Sequence, residues 1–361
     1  MNENKFTKAI FYLLFILTSI ACISVLKITS TFILPIVISI MLSFVFYPIV
    51  KKLASFHIPW VAGILIILVI ALGIFTGVGN LLVSSCMAIV NAYPKYEAKL
   101  TAIYTTIAGT LGIPFDENSS LLTNLWNSLG ARTFIQNTAI SLSNFLISGA
   151  KVLFLISLLI LFFMMEMRGT KEKIRSAFPE EHVNRKIIYI TIKIISDVTR
   201  FVSIKFVISL ATGILVGLSC IIARLDFPIV WGFLAFILNF IPNFGSAISF
   251  AITTLFSVVQ FAPDSIGKVV FIGLAVLLIN STLGSIIEPK WEGKDLGVSP
   301  FLILVSLTLW GFIWGFAGMI LSVPLLVIIK IICENIEMLN PVAVLIGSTK
   351  KFTKSNAHKA D

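Results

Sequence analysis

Charge is what this 361-residue chain has least of. Asp, Glu, Lys and Arg together make up 12% of it, about half the share of a soluble domain. Apolar residues supply 58% and the mean hydropathy is +1.03, more apolar surface than a water-soluble core can hide. Histidine is nearly absent: His57, His182 and His358 stand far apart, none at metal-ligand spacing. The four cysteines, Cys22, Cys86, Cys220 and Cys333, form no CxxC and no Cys/His cluster, so they read as small buried side chains. No GxSxG, HExxH or Walker loop occurs, and no carboxylate pair or Ser/His pair sits at span depth. These absences exclude ATP-driven export by this chain alone and intramembrane proteolysis. The expectation is a non-enzyme without cofactor or metal centre.

What charge there is has one sign, a net +10. The basic residues lie at the ends of apolar runs rather than in one aromatic-interleaved patch. That placement suits anionic headgroups and the positive-inside bias, and argues against a nucleic-acid partner.

Taken in order, the runs 9–26, 31–50 and 60–83 read as three spans, so residues 1–83 form the first block. Lys27 follows the first run where a cleaved signal would show small residues, so that run is retained. Gly73, Gly77 and Gly79 in the third are small residues of the kind that let helices approach closely. Residues 84–144 change texture, with Lys95, Glu97, Lys99, Asp116, Glu117 and Arg132 among many Ser, Thr and Asn. They read as a mostly helical extramembrane insert, in which 116–120 caps a helix starting at Leu121. The block 145–205 holds a fourth span and then an amphipathic basic helix, 180–203, with Lys186, Lys193 and Arg200 every seven residues on its polar back. Such a helix lies in the headgroup plane or packs on the cytoplasmic side of the protein. Residues 206–333 form the transport core, and 334–361 a Lys-rich cytoplasmic tail.

The core holds the two most informative stretches. Residues 227–263 and 296–329 run for 37 and 34 residues without a charge, where about 20 suffice to cross a bilayer. Each is interrupted: the first by Asn239, Pro242, Asn243 and Gly245, the second by Gly311, Gly315 and Gly318. Each starts at a proline, Pro228 or Pro300, with a break glycine 17 or 18 residues on. A backbone freed at membrane depth must be buried in protein or line a wet cavity. Paired, interrupted apolar segments therefore point to a transporter's binding site. With each overlong run crossing once there are eight crossings. That puts 19 Lys and Arg on the side of the termini against 8 on the other, and so places both termini in the cytoplasm. A re-entrant hairpin in place of a crossing alters that count.

The candidate solute or ion path is Asn239, Pro242, Asn243, Gly245, Asn280, Glu288, Pro289, Gly311, Gly315 and Gly318. Polar groups at membrane depth are expensive and tend to be functional. The plainer alternatives are interhelical hydrogen bonding for Asn239 and Asn280, and a wet interfacial turn for Glu288 and Lys290. Asp226, at a span edge, is a second candidate proton carrier.

At these residues the chain resembles the autoinducer-2 exporter family of bacterial membrane proteins. The segments GSIIEP (284–289), WEGKDLGVSP (291–300), LTLWGFIWGFAGMILSVPL (307–325) and IIKII (328–332) are similar to its signature block. FPIVWGFLAFILNFIPNFGSAIS (227–249) is similar to a second block. Ser285 replaces an Asn common before the Ile/Val-Glu-Pro, and Ser246 a Pro common after the break glycine. The resemblance implies an oligomeric, secondary inner-membrane transporter. Its partners would be membrane lipids, further copies of the chain, and a small polar solute such as the autoinducer-2 signal, or a cation and proton. Two further readings stand beside export: cation/proton antiport, and a membrane scaffold or sensor that moves no solute.

Overall fold

The computed structural model describes residues 3–111, 131–242, 244–262, 264–292 and 298–347. The helices are α1 (Glu3–Ile28), α2 (Ser30–Ser55), α3 (Trp60–Leu111), α4 (Ala131–Ala177), α5 (Glu181–Ala223), α6 (Pro228–Leu238), α7 (Phe244–Phe261) and α8 (Ile266–Asn280). A π-helix (Ser281–Ile287), α9 (Glu288–Glu292), α10 (Pro300–Asn335), a 3-10 turn (Glu337–Leu339) and α11 (Asn340–Ile346) complete the order. No strand occurs among the described residues, and seven helices are long and apolar enough to cross a membrane. The chain is an all-α integral membrane protein.

Several expected boundaries are not helix breaks. The third span and the first part of the insert form one helix, α3. The basic amphipathic stretch is the first half of α5, which runs without interruption into the fifth span. The expected cap at 116–120, the helix from Leu121, Asn243 and the Lys-rich tail beyond 347 lie outside the described residues. Among the described residues, a Cβ on Gly73 or Gly77 would meet nothing within 4 Å, so these glycines mediate no close helix approach there.

Two compact units emerge. The first comprises Met1–Ile64, Phe154–Val202 and Lys294–Asp361. Its core joins Met41 and Phe44 of α2, Val198 and Phe201 of α5, and Ile313, Trp314, Leu321, Val327 and Ile331 of α10. Ile190, Ile194, Ile195 and Val202 pack against that core. The apolar stripe of the amphipathic stretch is therefore spent on protein, and Lys193 on its basic back pairs with Glu334 at 3.3 Å.

The second overlong run folds back on itself. The Ser306 hydroxyl donates to the Ser322 carbonyl at 2.9 Å, although in a continuous helix residues 16 apart lie about 24 Å from each other. The turn is made at Trp314 (φ −122°, ψ 15°) and Gly315 (φ 61°, ψ −142°), a left-handed geometry open to a residue without Cβ. The Trp314 indole donates to the Leu26 carbonyl at 3.1 Å, and Lys27 lies over the Phe312 ring. The tip of this hairpin is thereby tied to the end of α1. Its base is tied to the basic half of α5 through Lys193 and Glu334.

The second unit comprises Leu65–Leu153 and Ser203–Gly293. Here α6 and α7 form the other hairpin, with the Trp231 and Phe256 rings 4.7 Å apart between its arms. At 11 residues, α6 reaches about 17 Å, too short to span a bilayer. Close glycine contact sets its path: a Cβ on Gly213 of α5 would stand 2.7 Å from the Gly232 carbonyl. Both overlong runs are thus helical hairpins with glycine at the turn.

Candidate functional site

The second unit brings Asn239, Pro242, Gly245, Asn280, Glu288 and Pro289 into one fold; Gly311, Gly315 and Gly318 belong to the first unit's hairpin. Two residues that sequence reasoning passed over organise the former group. Lys205 and Ser209 stand one turn apart on α5. The Lys205 ammonium donates to Glu288 Oε1 at 2.6 Å, with the two side chains only 9% and 14% exposed. The Ser209 hydroxyl accepts from the Asn239 amide at 3.0 Å in a buried contact. Glu288 and the hairpin tip therefore lock onto neighbouring turns of one helix. A lysine closing a basic helix and a serine three residues into a span were the available signals, and both look ordinary in sequence.

Asn280 donates to the Ser246 carbonyl at 3.3 Å, fixing the start of α7 to α8. Both asparagines thus make the interhelical bonds weighed as the plainer alternative. Glu288 is paired and largely enclosed rather than hydrated. Pro242 is half-buried, and Gly245 is buried with its Cα pressed onto the Leu238 carbonyl.

Helix α7 is inverted relative to a helix in water. Its buried side chains are Ser249, Thr253, Ser257, Gln260 and Phe261, while Ile248, Ile252 and Leu255 are exposed. The hydroxyls of Ser249, Thr253 and Thr254 are buried and reach no hydrogen-bond partner. In a bilayer such a stripe faces protein or a wet interior, never lipid.

The opposite end of the hairpin is pinned. Gln260 accepts from the Asp226 amide at 2.8 Å and donates to the Arg224 carbonyl at 3.0 Å. This holds two non-glycine residues, Arg224 and Phe227, at φ 60°, a strain of about 1–3 kcal/mol each that needs such over-determination. The Asp226 carboxylate accepts from Lys95 at 2.8 Å and from the Tyr96 phenol at 2.5 Å, and Lys99 bonds the Gln260 carbonyl. Burial pushes the Asp226 carboxyl up, but the bonds from Lys95 and Tyr96 and the lysine charge win and hold it below its ordinary value. Burial, then the bond to Asp226 and its charge, raise the Tyr96 phenol.

A carboxyl depressed in the folded state stabilises above its unfolded value and loses that contribution as pH falls through the folded one. The stability difference between the parent and Asp226→Asn should therefore stay flat from about pH 8 to pH 5 and shrink only below about pH 4. Thermal unfolding of the two proteins across that range checks it; a difference that changes near pH 6 contradicts the assignment.

Helix α5 also measures the unit. From Lys205 to Ala223, where the helix ends just before Asp226, is 18 residues, about 27 Å of helix, close to one bilayer core. Lys205 and Glu288 mark one end, and Asp226, Lys95 and Gln260 mark the other. Both ends of the α6–α7 hairpin lie at the Asp226 end, and α8 with the π-helix makes the return to Glu288.

Residues 10–338 match the family described as AI-2E family transporter. A Borreliella burgdorferi protein whose name assigns it provisionally to transport is 28% identical over 355 residues, 97% of this chain and 95% of its own. The AI-2 transport protein TqsA of Escherichia coli K12 is 27% identical over 329 residues, 90% of this chain and 92% of its own. The sodium-lithium/proton antiporter of Halobacillus andaensis is 26% identical over 227 residues, 61% of this chain and 62% of its own.

Proposed function

This chain belongs to the AI-2E transporter family, and from that premise we propose that it is a secondary transporter exporting a small polar solute across the bacterial inner membrane. Being a membrane transporter follows from the family; the solute, the direction and the coupling are the proposal. The observation that carries it is the enclosed polar track of Lys205–Glu288 and Ser209–Asn239 beside a broken hairpin at membrane depth. Released backbone groups and neutral amides there suit a hydroxylated solute, and the name of the Escherichia coli relative makes autoinducer-2 the first compound to test. The reading extends to Asn243, which lies outside the described residues, to Gly311, Gly315 and Gly318 of the other hairpin, and to a homo-oligomer in contact with lipid.

The test is efflux of labelled autoinducer-2 from proteoliposomes holding the purified full chain. Flux that depends on Asn239 supports the reading. A protein that assembles yet moves no solute is instead a scaffold or sensor. The second reading, cation/proton antiport, is favoured by the name of the Halobacillus relative and by Glu288. Asp226 is a poor proton carrier for it, since its bonds keep it ionised at physiological pH. Collapse of a pH gradient on adding sodium to the same vesicles would select antiport.

The topology belongs to the same proposal. With both hairpins returning to the side they entered, the chain crosses six times and both termini remain cytoplasmic. Lys268 then moves to the outer side, and Lys290 and Lys294 to the inner. The Lys and Arg balance shifts from 19 against 8 to 20 against 7, in the direction the positive-inside bias favours. In a cysteine-free background, Lys268→Cys should react with an impermeant thiol reagent added to intact cells, and Arg185→Cys should not. The reverse pattern overturns the arrangement.

A further inference from the structure

The Lys205–Glu288 pair is the part of the polar track that moving a neutral solute does not require. Lys205 is 7% exposed, and it sits on the only carboxylate between Asp264 and Glu292. A bare carboxylate so enclosed costs several kcal/mol of lost hydration, so Glu288 must always hold some positive partner. A lysine on a flexible four-carbon stem is a point charge that can leave and return.

The backbone beside Glu288 is built to receive a replacement. The π-helix ends with the Glu288 amide donating to the Leu283 carbonyl, one residue further back than an α-turn would take it. The next residue, Pro289, has no N–H to give. The Gly284 carbonyl therefore loses both the α-type donor, Glu288, and the π-type donor, residue 289. A Cβ on Gly284 would meet nothing within 4 Å, so no packed neighbour crowds this residue, one turn before the carboxylate. π-bulges of this kind recur at functional sites. Carboxylate, backbone carbonyl and water form the oxygen set of a hard cation.

Charge bookkeeping limits which cation. Exchanging an ammonium for a monovalent ion leaves the enclosed site neutral, whereas a divalent ion would leave an uncompensated charge. No group of three or more His, Cys, Asp or Glu that could hold a metal occurs among the described residues, which also argues against a divalent centre. We propose that Lys205 is a built-in counter-ion whose ammonium occupies, on Glu288, the place taken by a small monovalent inorganic cation, sodium or lithium, in an exchange of one charge for another. The inference rests on the transport reading only for its use in coupling; the exchange itself is a binding equilibrium.

It is tested on the purified full-length protein by thermal unfolding in sodium, lithium or choline chloride at constant ionic strength. Removing the competing ammonium in Lys205→Gln should lower the half-saturating sodium or lithium concentration by on the order of tenfold or more, because the binding-competent state is no longer a minor population. The variant should be weakened in choline and recover in sodium. Lys205→Arg, which keeps the pair and grips the carboxylate with a fork of donors, should raise the half-saturating concentration, so the idea remains testable if the glutamine variant does not fold. Glu288→Gln should show no sodium or lithium response. An equal half-saturation in the parent and both Lys205 variants, or no cation response in any of them, overturns the proposal. Proteoliposomes that move no solute while the cation shifts persist would sink the transport reading and leave this one standing.

Discussion

Gly245→Ala should collapse the α6–α7 hairpin. A Cβ built there stands 1.6 Å from the Leu238 carbonyl oxygen and 2.5 Å from its carbon. Both are backbone atoms of the opposing arm, so no side-chain rotation can relieve the overlap. Ordinary overpacking costs about 1–3 kcal/mol; this contact requires the arms to part and belongs with the exceptional substitutions above about 4 kcal/mol. Gly318→Ala should act alike in the other hairpin, its Cβ falling 1.9 Å from the Trp310 carbonyl. Gly73→Ala, with nothing within 4 Å, is the matched control and should be neutral or gain about 0.5–1 kcal/mol from helix propensity. Unfolding midpoints in one detergent compare all three. An unshifted midpoint for Gly245→Ala would mean that the arms are not packed as described.

Breaking the Lys205–Glu288 pair comes second in size. Glu288→Gln preserves shape but leaves an enclosed ammonium without its counter-charge, for which buried pairs lose about 3–5 kcal/mol. The double replacement Lys205→Met with Glu288→Gln removes both charges and should recover much of that loss, since the desolvation of two ions no longer has to be offset. A double-mutant cycle on unfolding midpoints measures the coupling. Additive losses would show that the two groups do not act as a pair. Ion-coupled flux should be absent in both variants, including the double one whose stability returns, which separates a role in transport from one in folding.

The two overlong runs, with their break glycines, were visible in sequence as composition: charge-free length with Pro and Gly at matched intervals. That they fold back was not, because a kinked crossing and a hairpin share one composition and differ only in which backbone meets which. Ser306 on Ser322 and Gly245 on Leu238 are contacts between arms, and no periodicity reports them. Lys205 escaped notice for a related reason. It ends a basic series on α5, where Lys186 is exposed, and its separate role depends on Glu288, 83 residues away. Helix α7 misleads differently. Its Ser and Thr dilute an apolar run, so sequence suggests a weak span where the structure has an inside-out one.

The first unit's discontinuity has a consequence for how the protein is made. Its core unites Met41 and Phe44 with Trp314 and Leu321, residues separated by most of the gene product. At about 5–20 residues per second of synthesis, α2 waits on the order of tens of seconds in the bilayer before the hairpin that covers it leaves the ribosome. During that interval the buried serines Ser39 and Ser43 can satisfy their hydroxyls on Ile36 and Ser39 carbonyls of their own helix. The early spans can thus tolerate lipid while they wait. A nascent chain that stops short of residue 300 keeps this half-built surface, and should be recognised by membrane proteases as unfinished.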